Sequence, residues 1–476
     1  MSAVDPLPAF ETDIPARLDR LPWSGFHMLV VAALGITWIL DGLEVTIVGS
    51  IGPALEDKRT LGLSMTDVGM AASSYLTGAG LGALLFGRLT DQLGRKRIFN
   101  LTLGLYIVSV FGTACAWGPW SFVLFRFLTG MAIGGEYAAI NSAIDELIPA
   151  KVRGRVDLIV NGSFWIGAAA GAVVALMLLR NGISAHGWRI GFAMGGVLAL
   201  VVLFLRHWVP ESPRWLVTHG YVQEAEAETR RIEAWVATAT GVTPGPVSET
   251  MTVHPRRVFG FRLIHKTMIG QYKMRSVLAL TMMVAQAFLY NAVFFTYGQV
   301  LTHDEGVTPD RVGLFILPLA VGNVLGPILL GGLFDTVGRR RMIFATYGLS
   351  GVLMLIVAVA FGGGYLTATT QTIGWMAIFF FASPAASAAY LTASEIFPLE
   401  TRAMAISVFY VLGTLIGGVG APYLFGQLLQ MGGRVPLSLG YAGAALLMLV
   451  AGLMALRFGI DAEGKSLEQI AQPLSG

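Results

Sequence analysis

The sequence predicts an all-α polytopic membrane protein: twelve transmembrane helices in two six-helix halves. Three observations carry this. Of 476 residues, 55% are hydrophobic and only 13% are charged, against about 25% charged in a soluble domain. Apolar runs of about 18 to 25 residues, long enough to cross a bilayer as helix, recur along the whole chain. One short charged phrase is written twice, as GRLTDQLGRKR at 87–97 and GGLFDTVGRRR at 331–341.

The runs lie near 27–48, 67–89, 98–117, 120–144, 156–179, 188–208, 276–300, 311–334, 342–361, 372–394, 405–428 and 436–457. They are continuous rather than alternating, which argues against a β-barrel. Glycine is abundant within them, as in GAGLGALLFG at 78–87, and small residues let membrane helices approach closely. The spans divide the chain into an N-tail (1–26), a first half (27–208), a polar linker (209–275), a second half (276–458) and a C-tail (459–476). The linker holds a helix-like stretch, VQEAEAETRRIEAWVA, then a looser GVTPGPVSET.

Basic residues set the orientation. With both termini inside, inner segments hold 25 of the 32 Lys and Arg residues, counting Arg206 among them. Outer loops hold six: Lys58, Arg59, Arg180, Arg189, Arg311 and Arg434. Cytoplasmic termini are expected. No cleavable signal peptide is read, so the first span would direct insertion. The formal charge of +3 and the lack of a basic stripe argue against nucleic acid. The single cysteine, Cys115, excludes an internal disulfide and a multi-cysteine metal site.

A second phrase also repeats. ELIPAKVRG at 146–154 and EIFPLETRA at 395–403 share E-x-x-P-x-x-x-R at the inner ends of even-numbered spans. Gly87 precedes Glu146 by 59 residues, and Gly331 precedes Glu395 by 64. Internal repeats with a site between them mark secondary transporters.

The doubled G-x-x-x-D-x-x-G-R-[RK] phrase resembles the signature of the major facilitator superfamily. Within it, the chain resembles sugar porters, metabolite–proton symporters and synaptic-vesicle-like transporters, through PESPRWL at 210–216, RFLTGMAIGG at 126–135, NAVFF at 291–295 and EGKSLEQI at 463–470. DGLE at 41–44 is similar to a motif of aromatic-acid–proton symporters. Two pocket positions depart from sugar porters: AQAFLYNAVFF keeps only Gln286 of their paired glutamines, and Tyr390 stands where they carry Trp.

An ionisable side chain at mid-bilayer costs roughly 2.5–3.5 kcal/mol on insertion scales, so each is a functional candidate. Asp41 and Glu44 share a face of span one, three residues apart. Arg126 lies near the outer start of span four, within reach of Glu44. This trio is expected to couple protons to transport, as the resemblance also implies for Glu44 and Arg126; a fixed ion pair orienting two spans is the alternative for that pair, and a substrate contact is the alternative for Asp41. Glu136, about 15 Å deeper in span four, faces either the cavity or the inner end of the bundle. Asn161 and Trp165 (span five), Gln286, Tyr290 and Asn291 (span seven), Asn323 (span eight), and Trp375 and Tyr390 (span ten) form a candidate pocket set, with helix bracing as the alternative for each.

The repeated phrases are expected to form an inner latch. Gly87 permits close helix contact, and Gly94 and Gly338 permit turns. Asp91 and Asp335 can accept from helix N-termini or pair with arginines. By resemblance, Arg95, Glu146, Arg153, Glu211, Arg214, Arg339, Glu395 and Arg402 complete the latch. The alternative is that the basic residues only anchor the loops.

No metal or cofactor is expected. The seven histidines lie in loops or near span ends, are expected at surfaces or interfaces, and form no helical metal pair. GIDAEGKS at 459–466 fits a phosphate-loop pattern but lacks its strand and following domain. No H-E-x-x-H or G-x-S-x-G is present, so an enzyme is not expected. Span five lacks the Gly-Pro signature that the resemblance associates with drug antiporters. The expectation is a proton-coupled symporter of a small organic metabolite, an organic or aromatic acid favoured. It would act as a monomer in a lipid bilayer, the inner membrane of a bacterium. A sugar or polyol porter is the alternative, and a non-transporting sensor on the same scaffold is another.

Overall fold

A computed structural model describes residues 9–56, 60–180, 186–206, 208–253, 265–308, 311–472 and 474. Among them, twelve helices are long and apolar enough to cross a membrane: Gly25–Ile47, Asp67–Leu93, Arg95–Ala114, Pro119–Leu147, Arg153–Val174, Gly187–Arg206, Lys273–Thr302, Val312–Thr336, Arg339–Gly362, Ala368–Glu395, Leu399–Gln430 and Arg434–Phe458. They are spans one to twelve below.

Packing repeats with the sequence. Repeat-related close pairs are spans one with five, two with four, and three with six in the first half, and seven with eleven, eight with ten, and nine with twelve in the second; spans three with four and nine with ten also pack together. Glycines make three of these pairs. A Cβ on Gly134 of span four would strike the Ala79 carbonyl of span two, and one on Gly82 would strike the Met131 backbone in return. Gly42 lies likewise against span five, and Gly326 of span eight against the Phe380 carbonyl of span ten. With backbones this close, dispersion contacts and small-residue packing hold the bundle together, since lipid supplies no hydrophobic drive between helices.

The halves meet through spans two with eleven and five with eight, again related by the repeat. Span five is interrupted: helix Arg153–Gly162 ends at Ser163, and helix Phe164–Arg180 continues it. Span eleven is loosened over Thr414–Val419 into wider turns.

Outside the spans, the linker carries helices Pro213–Thr218 and Val222–Thr240. Strand β1 (Phe10–Thr12) of the N-tail pairs antiparallel with β2 (Met251–Val253) of the linker, Glu11 opposite Thr252. Arg17 of the tail helix Ile14–Asp19 and Arg20, which follows it, bond Glu233 of the linker helix, both at 2.6 Å. The tail and the linker thus fasten to each other, on either side of the stretch GVTPGPVSET read as loose from sequence.

Two expectations need correction. Arg206, counted with the inner loops, is buried and bonds Glu136 at 3.2 Å. His27 and His219, expected at surfaces, are buried at 0% and 3% exposure. Trp23 stacks on His27 and Trp215 on His219, which supplies the apolar cover. His207 and His254 lie outside the described residues.

Candidate functional site

Between the halves lies a cavity of about 200 Å³, walled by spans one, four, five, seven, ten and eleven. Its aromatic wall is Trp38, Tyr137, Phe164, Trp165, Tyr290, Tyr390 and Tyr410; Asn161, Gln286, Ser383 and Ser387 supply polar groups. Trp38 stacks on Tyr137 at 4.5 Å between ring centroids. Across the half interface, Trp165 stacks on Tyr290 at 5.4 Å and on Phe294 at 5.3 Å. No Lys, Arg or His is among the described lining residues. A larger cleft of about 830 Å³ lies outside the spans, between the N-tail, the linker and the C-tail. It is lined by tail, loop and linker residues and by none of the spans, so the smaller cavity is the better transport site.

Asp41 sits behind the Trp38–Tyr137 wall, fully buried. It accepts from the Tyr75 hydroxyl at 2.8 Å and from the Tyr137 hydroxyl. It forms no ion pair among the described residues. Glu44, one turn further along, pairs with Arg126, whose guanidinium lies over the Tyr75 ring at 4.5 Å. One carboxylate therefore has a cation and the other has only phenols.

On the face of the doubled loops, reciprocal bonds tie the halves together. Asp91 accepts from the Ala403 and Met404 N–H groups at 3.3 and 3.0 Å, at the start of the span-eleven helix. Asp335 accepts from the Gly154 and Arg155 N–H groups at 3.0 and 2.7 Å, at the start of span five. Glu146 takes Arg95 of its own half at 2.7 Å and Arg402 of the other at 3.4 Å. Glu395 takes Arg339 at 3.0 Å and Arg153 at 3.7 Å. Gly87 lies against Ser407, where a Cβ would collide with its hydroxyl. Gly94 and Gly338 turn the loops at φ +94° and +111°, a region that favours glycine. Glu211 receives the Arg95 N–H at 2.9 Å. Arg214 bonds Asp19 at 2.7 Å and Glu468 of the C-tail at 2.5 Å.

A protein-family model described as "Sugar (and other) transporter" matches residues 31–474. The chain belongs to that family. Two bacterial relatives span nearly its whole length. The niacin transporter NiaP of Acinetobacter baylyi is 27% identical, over 96% of this chain and 99% of that one. A gallate transporter of Pseudomonas putida is 28% identical, over 93% and 92%. Among solved structures, the proton:xylose symporter XylE of the major facilitator superfamily superposes with a TM-score of 0.77 at 20% identity, over 94% of this chain and 98% of that one. The likeness shows the fold, twelve helices in the major facilitator arrangement. The chain is thus a membrane transporter of small molecules and not an enzyme.

Of the pocket residues read from sequence, Asn161, Trp165, Gln286, Tyr290 and Tyr390 line the cavity. Four do not. Glu136 is turned away into the first half, where Arg206 and Thr102 bond it at 3.2 and 3.3 Å. Asn323 stands behind the wall and accepts from the Tyr290 hydroxyl at 2.5 Å. Asn291 turns back to bond the Ala287 carbonyl at 2.8 Å. Trp375 is 0% exposed, packed between Tyr297 and Tyr441 in the second-half core. For Glu136, Asn323 and Asn291 a partner within the same half satisfies the group, and Trp375 serves the core by its ring contacts alone. Sequence reading missed Trp38, Tyr137, Ser383 and Tyr410. Trp38 was the findable one, since it precedes Asp41 by three and so shares its helical face. Glu463 was also missed. It receives the Arg339 N–H at 3.2 Å as Glu211 receives that of Arg95. The segment 459–466 follows span twelve and leads into the short helix Leu467–Ile470, with no strand before it.

Proposed function

We propose that this transporter is a proton-coupled symporter of a small single-ring organic acid, working by alternating access. The observation that carries the reading is the cavity: aromatic on most sides, free of cations among its described residues, and one phenol away from the unpaired Asp41. About 200 Å³ is small beside the 300–1,000 Å³ of drug-sized sites and suits one ring with a short substituent. Planar faces such as Trp38 and Trp165 stack on such a ring.

The mechanism follows from charge. A carboxylate entering a cation-free cavity beside an ionised Asp41 meets like-charge repulsion at low dielectric. A proton on Asp41 removes that repulsion, so acid and proton bind best together. Arg126 offsets a charge on Glu44 and no paired cation offsets one on Asp41, which makes Asp41 the better proton carrier. The protonated Asp41 holds Tyr137 differently, since a neutral carboxyl is a weaker acceptor than a carboxylate, and Tyr137 is part of the cavity wall. The closed latch on the loop face then describes the state open or occluded toward the other side, and rocking of the halves exchanges the two. By the bias of basic residues, the loop face and both termini are cytoplasmic, and the membrane is a bacterial inner membrane. The protein acts as a monomer, each chain enclosing its own cavity.

The relatives support an acid, being niacin and gallate transporters by name. A sugar or polyol would need a polar partner for nearly every hydroxyl, and the tyrosine and tryptophan wall offers few. The test is uptake into proteoliposomes of nicotinate, 4-hydroxybenzoate, gallate, xylose and glucose, with and without an inward pH gradient. Accumulation of at least one acid, dependent on the gradient, is expected. Accumulation of a sugar and of none of the acids overturns the substrate reading; no flux of any kind would favour a sensor.

A further inference from the structure

Beneath the cavity, on the side of the latch, two carboxylates are buried outside every ion pair among the described residues, with one polar side chain beside each, Ser394 by Asp145 and Asn161 by Asp157. Asp145 ends span four and Asp157 lies in the first part of span five; both are 0% exposed. None of their four oxygens accepts a well-formed hydrogen bond. Neither belongs to the reciprocal latch. Facing Asp157 are Asp145 from span four, Glu395 from span ten and Arg339 from span nine. Facing Asp145 are Glu395, Arg153 of span five and Arg402 of span eleven.

The charges around this pair do not balance. The pair and the reciprocal contacts between the halves together hold six carboxylates (Asp91, Asp145, Glu146, Asp157, Asp335, Glu395) and four guanidinium groups (Arg95, Arg153, Arg339, Arg402). The arginines are already engaged by Glu146, Glu395, Asp91 and Asp335. An ionised carboxylate whose neighbouring cations are already paired with other carboxylates is strongly disfavoured in a dry interior. No group of side chains among the described residues is arranged to hold a metal ion, so a proton is the ligand that fits. A polar path joins the pair to the cavity. Asn161, which lines the cavity, bonds the Asp157 carbonyl at 2.9 Å and the Asn141 side chain at 3.0 Å. Asn141 in turn bonds the carbonyl of Tyr137 at 2.8 Å.

We infer that Asp157, with Asp145, is a second proton-binding site, set at the latch rather than at the cavity. It holds a proton while the loop face is closed and gives it up when that face opens and water reaches it. Closing the latch therefore takes up a proton, and raising the pH favours the open loop face. This rests on the alternating-access reading but not on the role of Asp41.

Ser407 reports on the latch. It is 1% exposed and lies against Gly87 in the contact between spans two and eleven. The test uses the purified full-length protein in nanodiscs, with Cys115→Ser to remove the native thiol and Ser407→Cys as reporter. Labelling by a water-soluble maleimide is measured from about pH 6 to pH 9 and normalised to the unfolded protein at each pH. Labelling should rise with pH by up to about tenfold per unit over part of the range, the limit for one linked proton. With Asp157→Asn, which is neutral at every pH, it should stay low and flat. A parent profile without a rise, or an Asp157→Asn profile that matches the parent, overturns the inference. If Asp157→Asn does not fold, infrared titration decides. The protonated-carboxyl band of the parent should shift in Asp157→Glu, and an unmoved band overturns the inference. Asp41→Asn should keep the rise in labelling, so this site and the cavity reading fail separately.

Discussion

At the scale of single residues, the contrast between Asp41 and Glu44 decides the coupling chemistry. Both lie on one face of span one, and the sequence alone could not choose between them. The choice depends on what spans two and four bring: Arg126 to Glu44, Tyr75 and Tyr137 to Asp41. Asp41→Asn should therefore abolish accumulation driven by a pH gradient while leaving substrate exchange at equal pH partly intact. Tyr137→Phe keeps the stack on Trp38 but removes one donor, and should weaken coupling without abolishing it. Uptake and counterflow in the same proteoliposomes separate the two effects. Full gradient-driven accumulation by Asp41→Asn would refute the assignment. The charges of spans one and four were legible because each is rare and expensive in an apolar run, whereas Arg206 and Asp157, close to span ends, were not. The aromatic wall was not, because Tyr and Trp in a membrane helix serve as core, as Trp375 and Tyr297 do, as readily as they serve a ligand.

At the scale of elements, the spans were legible almost throughout, since length and hydropathy alone define them. What they concealed was local interruption: the break at Ser163 and the wide turns of Thr414–Val419 carry no Pro or charge to mark them. Gly134 was readable as a close-packing residue, and the structure shows the Ala79 carbonyl against it. Gly134→Val should separate spans two and four and reduce the yield of monodisperse protein severely, whereas Gly134→Ala, with a smaller intrusion, should fold at a lower melting temperature. Equal yields of all three would show that the contact is not needed. The linker helix Pro213–Thr218 offers a pH test. Burial holds His219 down to about 4, below its ordinary value, so the folded state favours the neutral ring. Below about pH 6.5 the unfolded chain gains a proton that the folded one refuses. Stability is thus fully present above pH 6.5 and falls, by up to roughly 3 kcal/mol, as the pH drops toward 4. Melting temperatures at several pH values should show a shallower acid loss for His219→Gln than for the parent.

For the whole molecule, the two doubled phrases act as one device because each half completes the other. Glu146 and Glu395 each hold an arginine from both halves, and Asp91 and Asp335 each cap a helix of the opposite half. The repeat was visible in sequence; the exchange of partners between halves was not, since nothing in either phrase names its counterpart. Asp91→Asn removes a charge and leaves one acceptor oxygen for two N–H groups. A hydrogen bond to a charged group contributes about 1.5–3 kcal/mol, so the closed loop face should lose roughly tenfold or more in population. If closure of that face is one end of the cycle, Asp91→Asn and Asp335→Asn should each slow exchange by a similar factor, because the two sites are related by the repeat. The order of preference among the acids and sugars of the uptake panel should not change, because both residues are remote from the cavity. A change in that order would place Asp91 in contact with substrate. Unchanged rates in both variants would reduce the latch to a topological anchor and leave the arginines as its only working part.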